Sequence, residues 1–465
     1  MSRTFTLRAL SAILIGGCGI AAHAAQNTTY QYQYDANGNR TQVTDPMNHV
    51  TRNQYDPLNR LIRVTDPNTG TTQYTYNALD QLTQVTDPRN LITSYTLDGL
   101  GNQTTLSSPD TGNTLNTFDA AGNLLTRTDA KGQTTHYQYD ALNRINQISY
   151  ADGNTIGYQY DQGTNGIGRL SRITDASGST QYSYDQHGRV IGEVRMIGSQ
   201  PNTTSYRYDG AGRLASVTYP SGRSVNYTRD SIGRIAQINT TKDGVTLQIV
   251  TQVNYQPFGP ATAVTYGNGQ SDTRSYDLDG RTTSYTLNNQ AQAISYDAAS
   301  RITAINDPQT AANSTSYGYD LLDRLTSAIK PNSSLSYAYD AVGNRTGHSD
   351  GAAASNYSYG STSNRLTQIT GSQAAAISTD PNGSITGNGA NQFTYDARGR
   401  MISANTASGT VQYQINGLGQ RVQKITPTQS TVFHYDTGGK LIAETSGQTS
   451  IDYVYLNDMP VAILK

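Results

Sequence analysis

Acid–base, nucleophilic or metal chemistry in this 465-residue chain would have to draw on six histidines, one cysteine, two glutamates and a large supply of aspartate. His23, His49, His136, His187, His348 and His434 fall at scattered positions, with no His-x-x-x-His or His-Glu pair, so they read as surface or turn histidines. A thiolate metal centre needs several cysteines, and Cys18 stands alone. Asp277-Leu278-Asp279-Gly280 places two carboxylates at alternate positions. A calcium loop of that kind also needs a glutamate at its twelfth position, and Glu193 and Glu444 are both distant. Nothing singles out a carboxylate pair for glycoside hydrolysis. Gly163-Thr164-Asn165-Gly166-Ile167-Gly168 lacks the Lys-Ser/Thr ending of a phosphate loop and reads as turn chemistry. No catalytic residue, no metal and no cofactor is expected, and the chain is predicted not to be an enzyme.

The aspartates have a different logic, because they recur in register. Tyr34-Asp35 returns as Tyr55-Asp56, Tyr76-Asn77, Leu97-Asp98, Phe118-Asp119, Tyr139-Asp140 and Tyr160-Asp161, each step being 21 residues. Tyr184-Asp185, Tyr208-Asp209 and further copies follow at steps of 16 to 26 residues as far as Tyr435-Asp436. Between copies the pattern alternates. Thr72, Tyr74 and Tyr76 share one face of a strand, and Leu82 to Thr86 resume the alternation. Asp87-Pro88 then ends it, because proline offers no donor to a ladder.

Both interruptions carry turn residues. In Asp185-Gln186-His187-Gly188-Arg189 and Asp209-Gly210-Ala211-Gly212-Arg213, the aspartate accepts from backbone N–H groups ahead of it. The glycine takes positive φ, closing a type I turn with a bulge. The expected fold class is therefore all-β: tandem antiparallel hairpins of about 20–21 residues forming one ribbon. A leucine-rich repeat is excluded by the missing Leu-x-x-Leu-x-Leu spacing. A propeller would need ~10 blades, above the usual 4–8. Two hairpin turns per unit count against a parallel β-helix.

Composition agrees. The chain has 34 tyrosines, 44 glycines, 5 phenylalanines and no tryptophan, which suits strands and tight turns rather than a helical bundle. A formal net charge of -1 gives no reason to expect nucleic acid or an anionic membrane as partner. Residues 1–24 read as a signal peptide: Arg3 and Arg8, an apolar run, and Ala22-His23-Ala24 as a small-x-small cleavage site. Residues 25–465 form the repeat array, with no second apolar segment of membrane-spanning length. The expected location is secreted, periplasmic or at the cell surface. Ile15-Gly16-Gly17-Cys18 loosely resembles a lipoprotein box, so anchoring through Cys18 is a minority alternative. Repeated tyrosines are expected to stack across strands as a ladder, or alternatively to face sugars. Asp35 and Arg40, and their counterparts, are expected to sit near one another in solvent.

The recurring Tyr-Asp-x-x-Gly-Arg motif resembles the RHS, or YD-repeat, family over nearly the whole chain. Tyr255-Gln256-Pro257-Phe258-Gly259-Pro260 is similar to a degenerate mid-array unit of bacterial members. Tyr453 to Ala462 resembles the segment that precedes their conserved core. The resemblance implies hairpins winding into a spiral sheet or partial hollow shell, which in bacterial members often houses a C-terminal toxic domain released by self-cleavage. Because Lys465 precedes the core motif, self-cleavage and toxicity are not carried over. The expected function is an exported, non-enzymatic repeat protein, part of an encapsulation shell in toxin delivery. Its partner would be a toxin or a downstream core polypeptide. The alternative is a carbohydrate-binding or adhesion module for cell-surface glycans.

Overall fold

A computed structural model describes residues 29–465. The signal peptide, Cys18 and His23 lie outside the described residues. From Gln31–Tyr34 to Met459–Leu464 the described chain runs through 42 strands, with one short 3-10 turn at Ala311–Asn313. Thr71–Tyr76 pairs antiparallel with Leu82–Thr86, which pairs antiparallel with Ile92–Leu97. The same succession repeats along the ribbon, as the turn chemistry requires.

The local geometry follows from the residues. Tyr74 lies opposite Val85 and Tyr76 opposite Leu82, with a register shift between Thr75 and Tyr76. Tyr74 and Tyr76 are half-buried while Gln73 and Thr75 are exposed, so the alternation expected from the sequence is real. The register shift is the bulge that one extra turn residue in left-handed conformation imposes. Gly188 and Gly212 hold that position at φ 79° each. Asn59, Asn143 and Ser300 do the same work at φ 64°, 58° and 66°, which asparagine tolerates best among them. Later connections are shorter. Lys242 pairs with Val245 across Asp243 and Gly244, both at positive φ, giving the two-residue turn whose twist matches the strands.

The described chain forms two compact units, each built from segments far apart in sequence. One takes the chain to Asn113 with Tyr276–Ser284 and Gln290–Ala376. The other comprises Thr114–Ser275, Tyr285–Asn289 and Ile377–Lys465. Their interiors differ. In the second unit Val225, Ile238, Val250 and Val454 are fully buried and pack in one cluster with Tyr206, Tyr219, Ile442 and Leu456. Burying each such side chain contributes ~1.5–3 kcal/mol. In the first unit Ala328 and Tyr357 are the buried apolar residues among those described, so polar contacts carry more of its cohesion.

Candidate functional site

Most repeats build the same polar cassette around the first turn. Asp56 Oδ1 accepts from the N–H groups of Leu58 and Arg60 at 2.9 and 3.0 Å. Asp56 Oδ2 accepts from Arg60 Nε at 2.7 Å. The Arg60 side chain first, and the Arg60 N–H second, hold this carboxyl below its usual range. Asp140 repeats the arrangement with Leu142 and Arg144. Asp185 does so with Arg189, and Asp209 with Arg213. Asp35 caps its own turn through Asn37 and Asn39, with Asn39 standing where arginine stands elsewhere. Asp277 caps Asp279 and Arg281 in the same way, which is the turn role expected of it. Arg60 Nη2 also reaches Asp56 Oδ2, at 2.6 Å, so two nitrogens of one guanidinium share that oxygen, with both side chains partly shielded from solvent.

The tyrosines are used differently from the expected stacked ladder. Tyr55, Tyr76, Tyr139, Tyr184 and Tyr208 each donate their phenol O–H to a backbone carbonyl on the preceding hairpin, those of Arg40, Leu61, Leu124, Leu170 and Val190. The distances run from 2.5 to 3.2 Å. Each of these carbonyls belongs to the residue paired at the register shift of the preceding hairpin, and the phenol gives it a donor there. A guanidinium then covers the ring: Arg60 lies 4.9 Å from Tyr76, Arg144 4.3 Å from Tyr160 and Arg189 4.5 Å from Tyr208. Among the described residues the close ring pairs are Tyr30 with Tyr32 and Tyr337 with His348. Adjacent tyrosines of the repeat stand on the same face but an arginine intervenes, so the ladder is phenol, guanidinium and carboxylate. Tyr34, at the first repeat, remains half exposed.

Within each unit, turns far apart in sequence meet in a seam. The cassette leaves one N–H over, that of the residue just after the aspartate. Where proline sits there, as at Pro57 and Pro67, nothing is lost. At Ala397, Gly417 and Thr437 this N–H makes the seam. In the second unit Gly417 donates to Asp175 Oδ2 at 2.6 Å, Ala397 to Asp152 Oδ2 at 3.3 Å, and Thr437 to the Tyr206 phenol at 3.1 Å. Approach at Gly417 is close. A Cβ there would lie 3.0 Å from methyl carbons of Ile156 and Ile173, which leaves no room for a larger residue without a shift. In the first unit Arg89 donates to the carbonyls of Gly360 and Ser363 and to Asn364 Oδ1, while Asn364 N–H donates to Asp110 Oδ1.

Two charge pairs are buried in the second unit. Arg223 Nε and Ser221 Oγ both donate to Asp452 Oδ2 at 2.8 Å, with the Arg223 and Asp452 side chains 7% and 1% exposed. Tyr219 beside them donates to the Tyr453 carbonyl at 2.8 Å. Arg195 Nη2 donates to Glu193 Oε1 at 2.7 Å, and burial pushes the Glu193 carboxyl upward. Nε and Nη1 of Arg195 find no acceptor, and its guanidinium lies 6.0 Å from the Tyr435 ring. His434, fully buried, lies 3.0 Å from Thr445 Oγ1 through Nε2. Burial, then the Arg195 charge, pushes its pKa down to about 4. These groups face the interior rather than a cleft. A shallow groove of ≈ 320 Å³ in the same unit is lined by Tyr266, Asn268, Asp272, Leu287 and Val461. There the Tyr266 phenol donates to Asp272 Oδ2 at 2.5 Å.

Asp35, Asp56, Asp140, Asp185 and Asp209 thus cap their turns, and Tyr55, Tyr139, Tyr184 and Tyr208 donate to carbonyls. What escaped the sequence is the seam and the Arg223–Asp452 pair, because their members lie 229 to 277 residues apart. The exceptional glutamates were one usable signal, since Glu193 alternates with Arg195 in a strand otherwise poor in charge. His49 is the other surprise. It meets Asp45 and Asp323, so the histidines are not all isolated.

Comparison with known proteins agrees with this architecture. The family model described as RHS Repeat matches residues 20–46, 55–91, 76–112 and 118–155. The model described as Teneurin YD-shell matches 164–258, 246–421 and 314–461. The chain belongs to the RHS, or YD-repeat, family. None of the curated proteins matches it by sequence. Among solved structures it is similar to TcdB2-TccC3, with a TM-score of 0.73 and 17% identity over 93% of this chain. TcdB2-TccC3 without its hypervariable C-terminal region gives 0.75 and 18% over 92%. The Photorhabdus luminescens Tc holotoxin pore gives 0.72 and 17% over 93%. In each case the chain spans 28% of the other chain's length. At such identity the likeness is one of fold, that of the Tc toxin repeat sheet.

Proposed function

We propose that this chain is an exported, non-catalytic wall segment of an encapsulation shell, enclosing a polypeptide cargo such as a toxin. The observation that carries this reading is the seam. Within each unit, turns of distant repeats are joined by backbone donors and carboxylates, and in the second by the buried Arg223–Asp452 pair, which is what a continuous wall needs. The match to the YD-shell family model and the fold shared with TcdB2-TccC3 support it. Export rests on the basic, apolar and small-x-small pattern of residues 1–24. The absence of catalysis rests on the aspartates being occupied as turn caps. The glycan-binding alternative has less to stand on, since the repeated phenols are donated to carbonyls and their rings are covered by arginine.

Protease protection tests the proposal. The polypeptide encoded next to this chain, co-expressed with it, is expected to survive a protease dose that digests that polypeptide when it is expressed alone. Equal digestion in both preparations, or an unrelated adjoining frame, removes the shell reading. A glycan array with the purified chain decides the alternative, and saturable binding there would favour it.

A further inference from the structure

We propose that Asp45, His49 and Asp323 form a three-ligand site for a divalent first-row transition ion, with Zn2+ as its representative. The site would pin two distant passes of the ribbon together within the first unit. The ligand-bearing atoms of the three side chains all lie within 4.8 Å of one another. Tetrahedral ligands at ~2.0–2.2 Å from a cation stand ~3.3–3.6 Å apart, so Asp45 Oδ2 and His49 Nδ1 at 3.0 Å are already near that spacing and the remaining closure falls to the exposed Asp323 carboxylate.

Asp45 and His49 are fixed by their turn. Asp45 Oδ1 accepts from the N–H groups of Met47 and His49 at 2.9 and 2.7 Å. That leaves Oδ2 beside His49 Nδ1 at 3.0 Å. The distance is that of a hydrogen bond, yet Nδ1 is shut off from solvent and makes no aligned hydrogen bond. An imidazole nitrogen and a carboxylate oxygen set side by side, rather than aimed at each other, can share a third atom. Asp323 supplies the remaining oxygen from the fourth position of its turn, where φ is 60°. Its Oδ1 accepts from Arg301 Nη1 at 2.7 Å, which orients the carboxylate. More than half exposed, that side chain has room to adjust.

The repeat itself does not explain His49. Its counterparts at the end of other second turns are Gly70, Leu91 and Gln133, which donate only their backbone N–H to the capping aspartate. One nitrogen with two carboxylates, and no thiolate, suits a borderline ion such as Zn2+ and leaves coordination positions open to water.

The test uses the tag-free full chain after chelator treatment, titrated calorimetrically with ZnCl2. One equivalent is expected to bind, and saturation is expected to raise the melting temperature. His49→Ala and Asp323→Asn are each expected to weaken binding on the order of a hundredfold, with unchanged circular dichroism. Asp323→Asn alters an exposed side chain, so it separates loss of a ligand from loss of fold. Absence of saturable binding, or binding retained in either variant, overturns the assignment.

Discussion

Replacing Asp452 with alanine is expected to remove about 3–5 kcal/mol of stability, the usual consequence of stripping one partner from a buried ion pair. The carboxylate is 1% exposed and receives both Arg223 Nε and Ser221 Oγ. Without it, a guanidinium that is itself 7% exposed keeps its charge and has no counterion. Relaxation is restricted, because Val454 and Leu456 on the same strand are locked in the apolar cluster. Chemical denaturation of the two proteins measures the effect as a lower midpoint. The pair itself contributes less than its breakage suggests. A double replacement of Arg223 and Asp452 by methionine and leucine should recover most of the loss, since apolar substitutes avoid the desolvation cost of both charges. A loss below about 1 kcal/mol for Asp452→Ala would mean that water reaches the pair and that the seam is open there.

The second large effect depends on pH. His434 is held neutral in the folded chain, its pKa down at about 4 against an ordinary 6.5. The unfolded chain takes up a proton as the pH falls through 6.5, while the folded chain resists until about 4. Stability is therefore fully present above 6.5 and is lost as the pH falls towards 4. The integrated loss is about 3 kcal/mol. Glu193 runs the other way, because its folded pKa is raised. Its contribution is lost as the pH rises through that value, so acidification partly offsets the histidine. The capping aspartates, whose carboxyls are lowered, lose their contribution at still lower pH, below their ordinary value of 3.8. Replacing His434 with glutamine is expected to flatten the denaturation midpoint between pH 6.5 and 4 and to leave the steeper decline at lower pH. An unchanged slope in that window would show that the imidazole is hydrated and titrates normally.

Local features were legible in the sequence for a physical reason. A turn is encoded within five residues, so Asp185, Gly188 and Arg189 announce cap, bulge and counter-charge together. The strand Leu82–Thr86 could be drawn residue by residue from its alternation and the proline that follows. The tyrosine at each strand end was equally visible, but its role was not. Ring-to-ring stacking and donation to a carbonyl both place Tyr76 on the same face, and nothing in its own hairpin says that the phenol will reach back to the carbonyl of Leu61, the residue paired at the Gln54/Tyr55 register shift of the hairpin before. The seam was illegible because nothing in Asp175 says that Gly417 will face it. Both residues satisfy their own turns first, and their meeting depends on how many repeats pass before the ribbon returns. The same holds for Asp323, whose approach to Asp45 and His49 depends on that return.

The return of the ribbon on itself is the claim on which the shell reading and the buried pairs both depend, and zero-length carbodiimide crosslinking of the monomer tests it most directly. Lys131 Nζ lies 3.6 Å from Asp380 Oδ2 in the second unit, and Lys440 Nζ lies 2.8 Å from Asp458 Oδ1 across a neighbouring turn. The account predicts both amide links in peptides from the monomer. Recovery of the Lys440–Asp458 link alone, under conditions where it forms efficiently, would leave the hairpins standing and contradict the seam.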